Sequence, residues 1–77
     1  MSPNFLPEVI SILVLLNGRE VDLPEGVTVA GLIAQKKLDP ATVFVEHNGE
    51  LVKEDAWPDI VLKGKDQLEI LRFVGGG

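Results

Sequence analysis

The chain has 77 residues, which sets the expectation of one domain with an economical core, because a chain this small buries only about 60% of its unfolded surface and leaves no room for a large enclosed catalytic cavity. Seven Lys and Arg against twelve Asp and Glu give a formal net charge of −5; this argues against nucleic acid, which needs a basic surface, and suits a partner with a basic docking surface. There are no cysteines and one histidine, so a disulfide framework, a thiolate zinc site, a thiol nucleophile and the two-His metal motifs are all excluded.

Residues 1–8 carry two prolines and no periodicity and read as a loose leader. Val9 to Leu16 (VISILVLL) is apolar apart from Ser11. It is far shorter than the roughly 20 residues of a membrane-spanning helix. No Lys or Arg precedes it and no small-residue cleavage site follows, so no export signal is read and a cytoplasmic protein without a membrane segment is expected. Its Val and Ile content predicts a strand. Asn17-Gly18 follows, a type I′ hairpin signal, and residues 19–23 (REVDL) alternate as the partner strand. Pro24-Glu25-Gly26 is a turn, and Thr28 is placed to cap a helix over 29–38 (VAGLIAQKKL). Val29, Leu32, Ile33 and Lys36 fall on one face of that helix. Lys36 and Lys37 suit the negative end of its dipole, and Asp39-Pro40 stops it. Gly31 inside the helix costs about 1 kcal/mol relative to Ala, for which a close helix–sheet approach would be a reason. Residues 42–47 (TVFVEH) predict a third strand, Asn48-Gly49 a second type I′ turn, and Glu50 to Val52 a short strand. Lys53 to Lys65 is irregular, with Trp57 as its packing anchor, and residues 67–74 (QLEILRFV) are the last strand. The reading is thus a leader (1–8), a folded domain (9–74) and a glycine tail (75–77).

One helix among two pairs of strands suits a two-layer α+β domain. The most economical arrangement sets the last strand beside the first, central and parallel, with the helix in the crossover. That is the β-grasp, or ubiquitin-like, architecture: a mixed four- to five-stranded sheet with one helix packed on one face. Strand alternation then separates Ile12, Val14, Leu16, Leu68 and Ile70 from Ser11, Leu13, Leu15, Glu69, Leu71 and Phe73. Ser11 and Glu69 are costly to bury unpaired, so their set faces outward. Leu13, Leu15, Leu71 and Phe73 are therefore expected to form an exposed apolar patch that binds a partner, unless the leader folds over it or a bulge redirects one strand.

The sharpest feature is Gly75-Gly76-Gly77, three of the eight glycines in a row at the end of the sequence. At about 7% glycine usage such a run has odds on the order of 1 in 3,000, too long for chance to be the default reading. Without Cβ atoms the segment can thread a narrow channel and present a carboxylate to another protein's active site. His47 beside Asn48 reads as a strand-end residue, because no orienting partner is apparent in the sequence. Glu54, Asp55 and Asp59 read as solvated surface. Arg72 and Val74, next to the tail, join the partner-binding set, Arg72 as a salt-bridge candidate.

The sequence resembles the ThiS family of sulfur carriers of thiamine biosynthesis. The resemblance covers about residues 12–77 and rests on Leu16-Asn17-Gly18, Leu23-Pro24-Glu25-Gly26-Val27-Thr28-Val29, Val45 to Val52 (VEHNGELV), the single Trp57, and Asp66 to Ile70 (DQLEI) leading to Val74-Gly75-Gly76-Gly77. Residues 1–10 are extra, and Lys63-Gly64-Lys65-Asp66 replaces a tighter acidic turn. The resemblance implies that an E1-like adenylyltransferase of the ThiF type uses ATP to adenylate the Gly77 carboxylate. Sulfur from a persulfide donor then makes a thiocarboxylate, which a thiazole synthase of the ThiG type consumes. On this reading the chain is a monomer when free and no enzyme; it binds no cofactor or metal, and the absence of GxxxxGK[ST] agrees with ATP belonging to the partner. The alternatives are a molybdopterin-synthase small subunit or another pathway's sulfur carrier, a ubiquitin-like modifier joined to lysines through Gly77, and a purely structural interaction domain.

Overall fold

Two hairpins with the same Asn-Gly turn frame the sheet in the computed structural model, which describes residues 10–73. Strands β1 (Ser11–Leu16) and β2 (Arg19–Pro24) form the first hairpin; β3 (Val43–His47) and β4 (Glu50–Val52) form the second. Asn17 and Gly18 have φ of 51° and 82°, and Asn48 and Gly49 have 51° and 86°. Both central residues are left-handed in each turn, as a type I′ turn requires. Strand β5 (Gln67–Arg72) runs between the hairpins, parallel to β1 and antiparallel to β3, giving the order β2-β1-β5-β3-β4. This is the expected mixed five-stranded β-grasp sheet with a central last strand.

Helix α1 (Val29–Gln35) covers one face. Thr28 caps it as predicted, its Oγ1 accepting from the Gly31 N–H at 3.0 Å. The helix is three residues shorter than the predicted 29–38. Lys36 is its C-cap, and Lys37 takes a left-handed φ of 58°. The Lys37 N–H then donates to Ala34 O at 3.0 Å and the Leu38 N–H to Ile33 O at 3.2 Å. This is a Schellman ending without its usual glycine, so the sequence carries no mark of it. The reason considered for Gly31 is also corrected. Gly31 is exposed, and a Cβ there would meet the capping Thr28 Oγ1 at 3.3 Å and Val27 Cγ2 at 3.6 Å rather than the sheet.

The core lies between α1 and the sheet. Val14, Leu16, Val43, Val45 and Leu68 come from the strands and Val29, Leu32 and Ile33 from the helix; Trp57 and Leu62 close one side. Each such side chain contributes roughly 1.5–3 kcal/mol by leaving water. The stretch after β4 is more regular than expected. Glu54–Asp59 forms a 3-10 helix that seats Trp57 in the core, with its Nε1–H donating to Val52 O at 3.2 Å. A second short 3-10 helix spans Pro40–Thr42, capped by Asp39. The leader 1–8, Val9, Val74 and the tail Gly75, Gly76 and Gly77 lie outside the described residues. No helix among the described residues is long and apolar enough to cross a membrane.

Candidate functional site

β5 leads in sequence to the glycine segment, so what holds β5 decides what the tail is anchored to. The strand is gripped on both sides. On the β1 side only two residue pairs align, Leu15 with Gln67 and Leu16 with Leu68. The Asn17 side chain prolongs that ladder: the Ile70 N–H donates to Asn17 Oδ1 at 2.8 Å, and Asn17 Nδ2 donates to Ile70 O at 3.3 Å. On the β3 side the ladder runs from His47–Leu68 to Val43–Arg72, and the Phe73 N–H adds a bond to Thr42 O at 2.8 Å. The backbone is thus held as far as residue 73.

At the start of β5 the other turn makes a polar knot. The Gln67 N–H donates to Asn48 Oδ1 at 2.8 Å. Asp66 accepts from His47 Nε2 at 2.8 Å, from the Lys63 N–H at 2.9 Å and from Asn48 Nδ2 at 3.2 Å. A carboxylate only accepts, so His47 Nε2 carries the hydrogen between them. Burial tends to raise the Asp66 carboxyl, but the hydrogen bonds from His47, Lys63 and Asn48 outweigh it and hold the group below its ordinary value. His47 is the strand-end residue that the sequence suggests, yet it has the partner, Asp66, that the sequence does not reveal. The pair anchors a turn; no group of acids and His that could hold a metal is found among the described residues.

The outward face carries the predicted apolar residues, but not as one patch. Leu13 and Leu71 are each 44% exposed and Phe73 is 48% exposed, while Leu15 is half-buried. Because Leu15 is level with Gln67, Leu71 lies four residues farther along, roughly 13 Å at the rise of a parallel strand. Leu13 and Leu15 therefore form a small patch of their own beside Glu20 and Lys65. Leu71 and Phe73 join residues that the sequence reading did not name. Phe44 is directly opposite Leu71, its ring centroid is 4.0 Å from that of Phe73, and Leu51 is 62% exposed beside them. The buried–exposed–buried alternation of Val43, Phe44 and Val45 is the signal that places Phe44 outward. Phe44, Leu51 and Phe73 line a groove of about 320 Å³ with Pro40 and Trp57. On the same face, Glu46 and Glu69 pair across β3 and β5, so an acidic margin borders the apolar surface. Arg72 is exposed and alternation turns it to the helix side, away from Leu71 and Phe73.

Known proteins agree with this layout. A ThiS-family sequence model matches residues 11–77. The chain is 35% identical over 63 residues to the sulfur carrier protein ThiS of Bacillus subtilis, covering 80% of this chain and 96% of that protein. It is also 33% identical over 63 residues to a thiazole synthase of Paramagnetospirillum magneticum and 36% identical over 62 residues to one of Magnetococcus marinus. The matches take in 82% and 80% of this chain, which spans only 19% of each synthase. The crystal structure of the thiamine biosynthesis protein ThiS from Geobacter metallireducens superposes with a TM-score of 0.72 at 33% identity, covering 86% of this chain and all of that one. The family model spans nearly all of the chain, and the Bacillus subtilis carrier is matched over almost its full length; the chain belongs to the ThiS family.

Proposed function

We propose that this protein is a sulfur carrier for thiazole formation and that its reactive group is the Gly77 carboxylate. A carboxylate is a poor electrophile. An E1-like adenylyltransferase joins it to AMP at the expense of ATP, releasing pyrophosphate. The terminal sulfur of a cysteine persulfide then attacks the acyl carbon and AMP leaves. A thiol cleaves the resulting acyl disulfide, taking the donor sulfur into a new disulfide and leaving a thiocarboxylate on Gly77. Thiazole synthase takes that sulfur and the carboxylate is regenerated. The chain acts as a protein co-substrate in the cytoplasm, and ATP binding belongs to its partner.

The observation that carries this reading is the family match running through residue 77, on a fold whose central strand is secured up to Ile70 on its β1 flank and up to Phe73 on its β3 flank. The thiazole synthases support the choice of acceptor: a segment like this chain resides within each of them, and joining carrier to acceptor replaces encounter by a high effective concentration. For docking, the reading assigns Leu71, Phe73 and Val74, together with Phe44 and Leu51, as the principal surface. Leu13 and Leu15 supply a second, separate one, and Arg72 a charge on the opposite face.

Intact-mass measurement tests it. Incubation with ATP, the adenylyltransferase and a persulfide donor is expected to add about 16 Da at Gly77, oxygen replaced by sulfur. Absence of that increment with a competent partner overturns the reading, and conjugates to lysine would point to a modifier instead.

A further inference from the structure

Lys36 and Arg72 come from different elements, the C-cap of α1 and the last residue of β5, and face one notch of about 220 Å³ on the helix side of the sheet. The notch has an apolar floor that includes the buried Leu16 and Val43 and the half-buried Leu38. Arg72 and Phe73 are successive residues and point to opposite sides. The notch and the Phe44–Phe73 surface therefore flank the end of one strand.

The notch holds positive charge that nothing nearby consumes. In a chain of net charge −5, neither Lys36 nor Arg72 lies within ion-pair distance of an acid among the described residues, where the pair present is His47–Asp66. Asp39, the acid nearest Lys36 in sequence, is occupied in capping Ala41 N–H at 3.0 Å.

The surrounding backbone donors are spent. Asn17 N–H donates to Leu68 O, Ile70 N–H to Asn17 Oδ1, Lys37 N–H to Ala34 O and Leu38 N–H to Ile33 O. An anion here meets the ammonium, the guanidinium and the uncommitted hydrogen of Asn17 Nδ2, whose other hydrogen goes to Ile70 O at 3.3 Å. Phosphate sites usually offer several backbone N–H groups at a helix N-terminus or nest. This is a helix C-terminus, whose partial negative charge opposes a dianion. A single carboxylate is satisfied by one guanidinium fork and one ammonium, and an apolar floor accommodates the methylenes that carry it.

We propose that the Lys36–Arg72 notch receives the carboxylate of a Glu or Asp side chain presented by a protein partner, so that the partner holds the end of β5 from both faces. The contact adds charge-assisted binding on the face opposite Phe73, so it strengthens docking of the strand end rather than the reaction step itself. Which protein presents the carboxylate rests on the carrier reading above. The preference for a carboxylate does not.

Titration of the full chain with a blocked Leu-Glu peptide, followed by amide and Arg side-chain NMR shifts, is the test. Shifts are expected at Asn17, Lys36, Lys37, Leu38 and Arg72, half-saturating at millimolar peptide. The variant carrying Lys36→Gln and Arg72→Gln is expected to bind at least about fivefold more weakly. No localised shifts, or equal binding by the variant, overturns the proposal, and tighter binding of inorganic phosphate than of the peptide reassigns the notch to phosphate. A second arm uses the adenylyltransferase. Lys36→Glu with Arg72→Glu is expected to raise the carrier's KM about tenfold at low salt, leave kcat within about twofold and lose most of the effect at high salt. A fall in kcat at constant KM, or faster adenylation, overturns the two-sided hold. Unchanged thermal unfolding of both variants shows that folding is not the cause. If the wild-type chain is not adenylated at all, the carrier reading fails while the peptide titration still judges the notch.

Discussion

The two Asn-Gly turns have the same length, the same dihedral class and the same first residue, yet they hold β5 by different chemistry. Asn17 spends its side-chain amide on both backbone groups of one residue, Ile70. Asn48 spends its own on one backbone N–H, that of Gln67, and on the Asp66 carboxylate, which is itself held by His47 and Lys63. One clamp is neutral and stands alone. The other is charge-assisted and shared among several groups. The same local turn thus becomes two devices according to what the sheet brings within reach of the asparagine.

The largest separation between the clamps should come from Asp66. Replacing Asp66 by Ala leaves three donors without their acceptor and is expected to cost about 2 kcal/mol, read from urea unfolding near neutral pH. Because the folded carboxyl is held below its unfolded value of about 4, this contribution is complete above that pH and fades as pH falls through the folded value. Wild type and Asp66→Ala should therefore converge in acid; a gap that persists there would mean that Asp66 acts through packing rather than through its charge.

Asn17→Gly keeps the left-handed turn and removes only the two bonds to Ile70. A loss of about 1–2 kcal/mol is expected, unaffected by pH across the range that weakens the other clamp, together with faster hydrogen exchange at the Ile70 amide. Asn48→Gly should cost less, about 1 kcal/mol, since Asp66 retains His47 and the Lys63 N–H. If the two glycine variants cost the same, the sharing of the second clamp has no energetic consequence.

The smallest effect has the opposite sign. Lys65, next to Asp66, has a φ of 72°, a conformation costing a residue with a Cβ roughly 1 kcal/mol relative to glycine. Its N–H donates to Leu13 O at 2.7 Å and fixes the chain before β5. Lys65→Gly is expected to raise stability by about 0.5 kcal/mol after the added freedom of the unfolded chain is subtracted. A loss would show that the Lys65 side chain does more beside Leu13, Leu15 and Glu20 than the backbone alone suggests.

Much of the fold was legible in the residues, because it depends on short-range rules. Asn17-Gly18 and Asn48-Gly49 name their turn type, Thr28 names its cap, and the alternation in β1 and β5 names the side each residue faces. Helix length was not legible: Lys37 at the left-handed position replaces the glycine that would have marked the stop. The regularity around Trp57 was also hidden, since Glu54–Asp59 has no periodicity of its own and is shaped by seating one large ring in the core. Of the candidate site, the outward direction of Leu13, Leu71 and Phe73 was readable, whereas the company of Phe44 and Leu51 depended on which strand lay beside β5.

By itself the sequence determined the turns, the helix start, the faces of the strands and a family resemblance that reaches the final glycine, because each depends on residues close together along the chain. Only the tertiary structure decided the offset between β1 and β5, and with it the division of one expected apolar patch into two. A period of two tells a strand which way to face but not how far to slide. Asn17 holds that offset by bonding both backbone groups of Ile70, 53 residues away, which it meets only after the sheet has assembled.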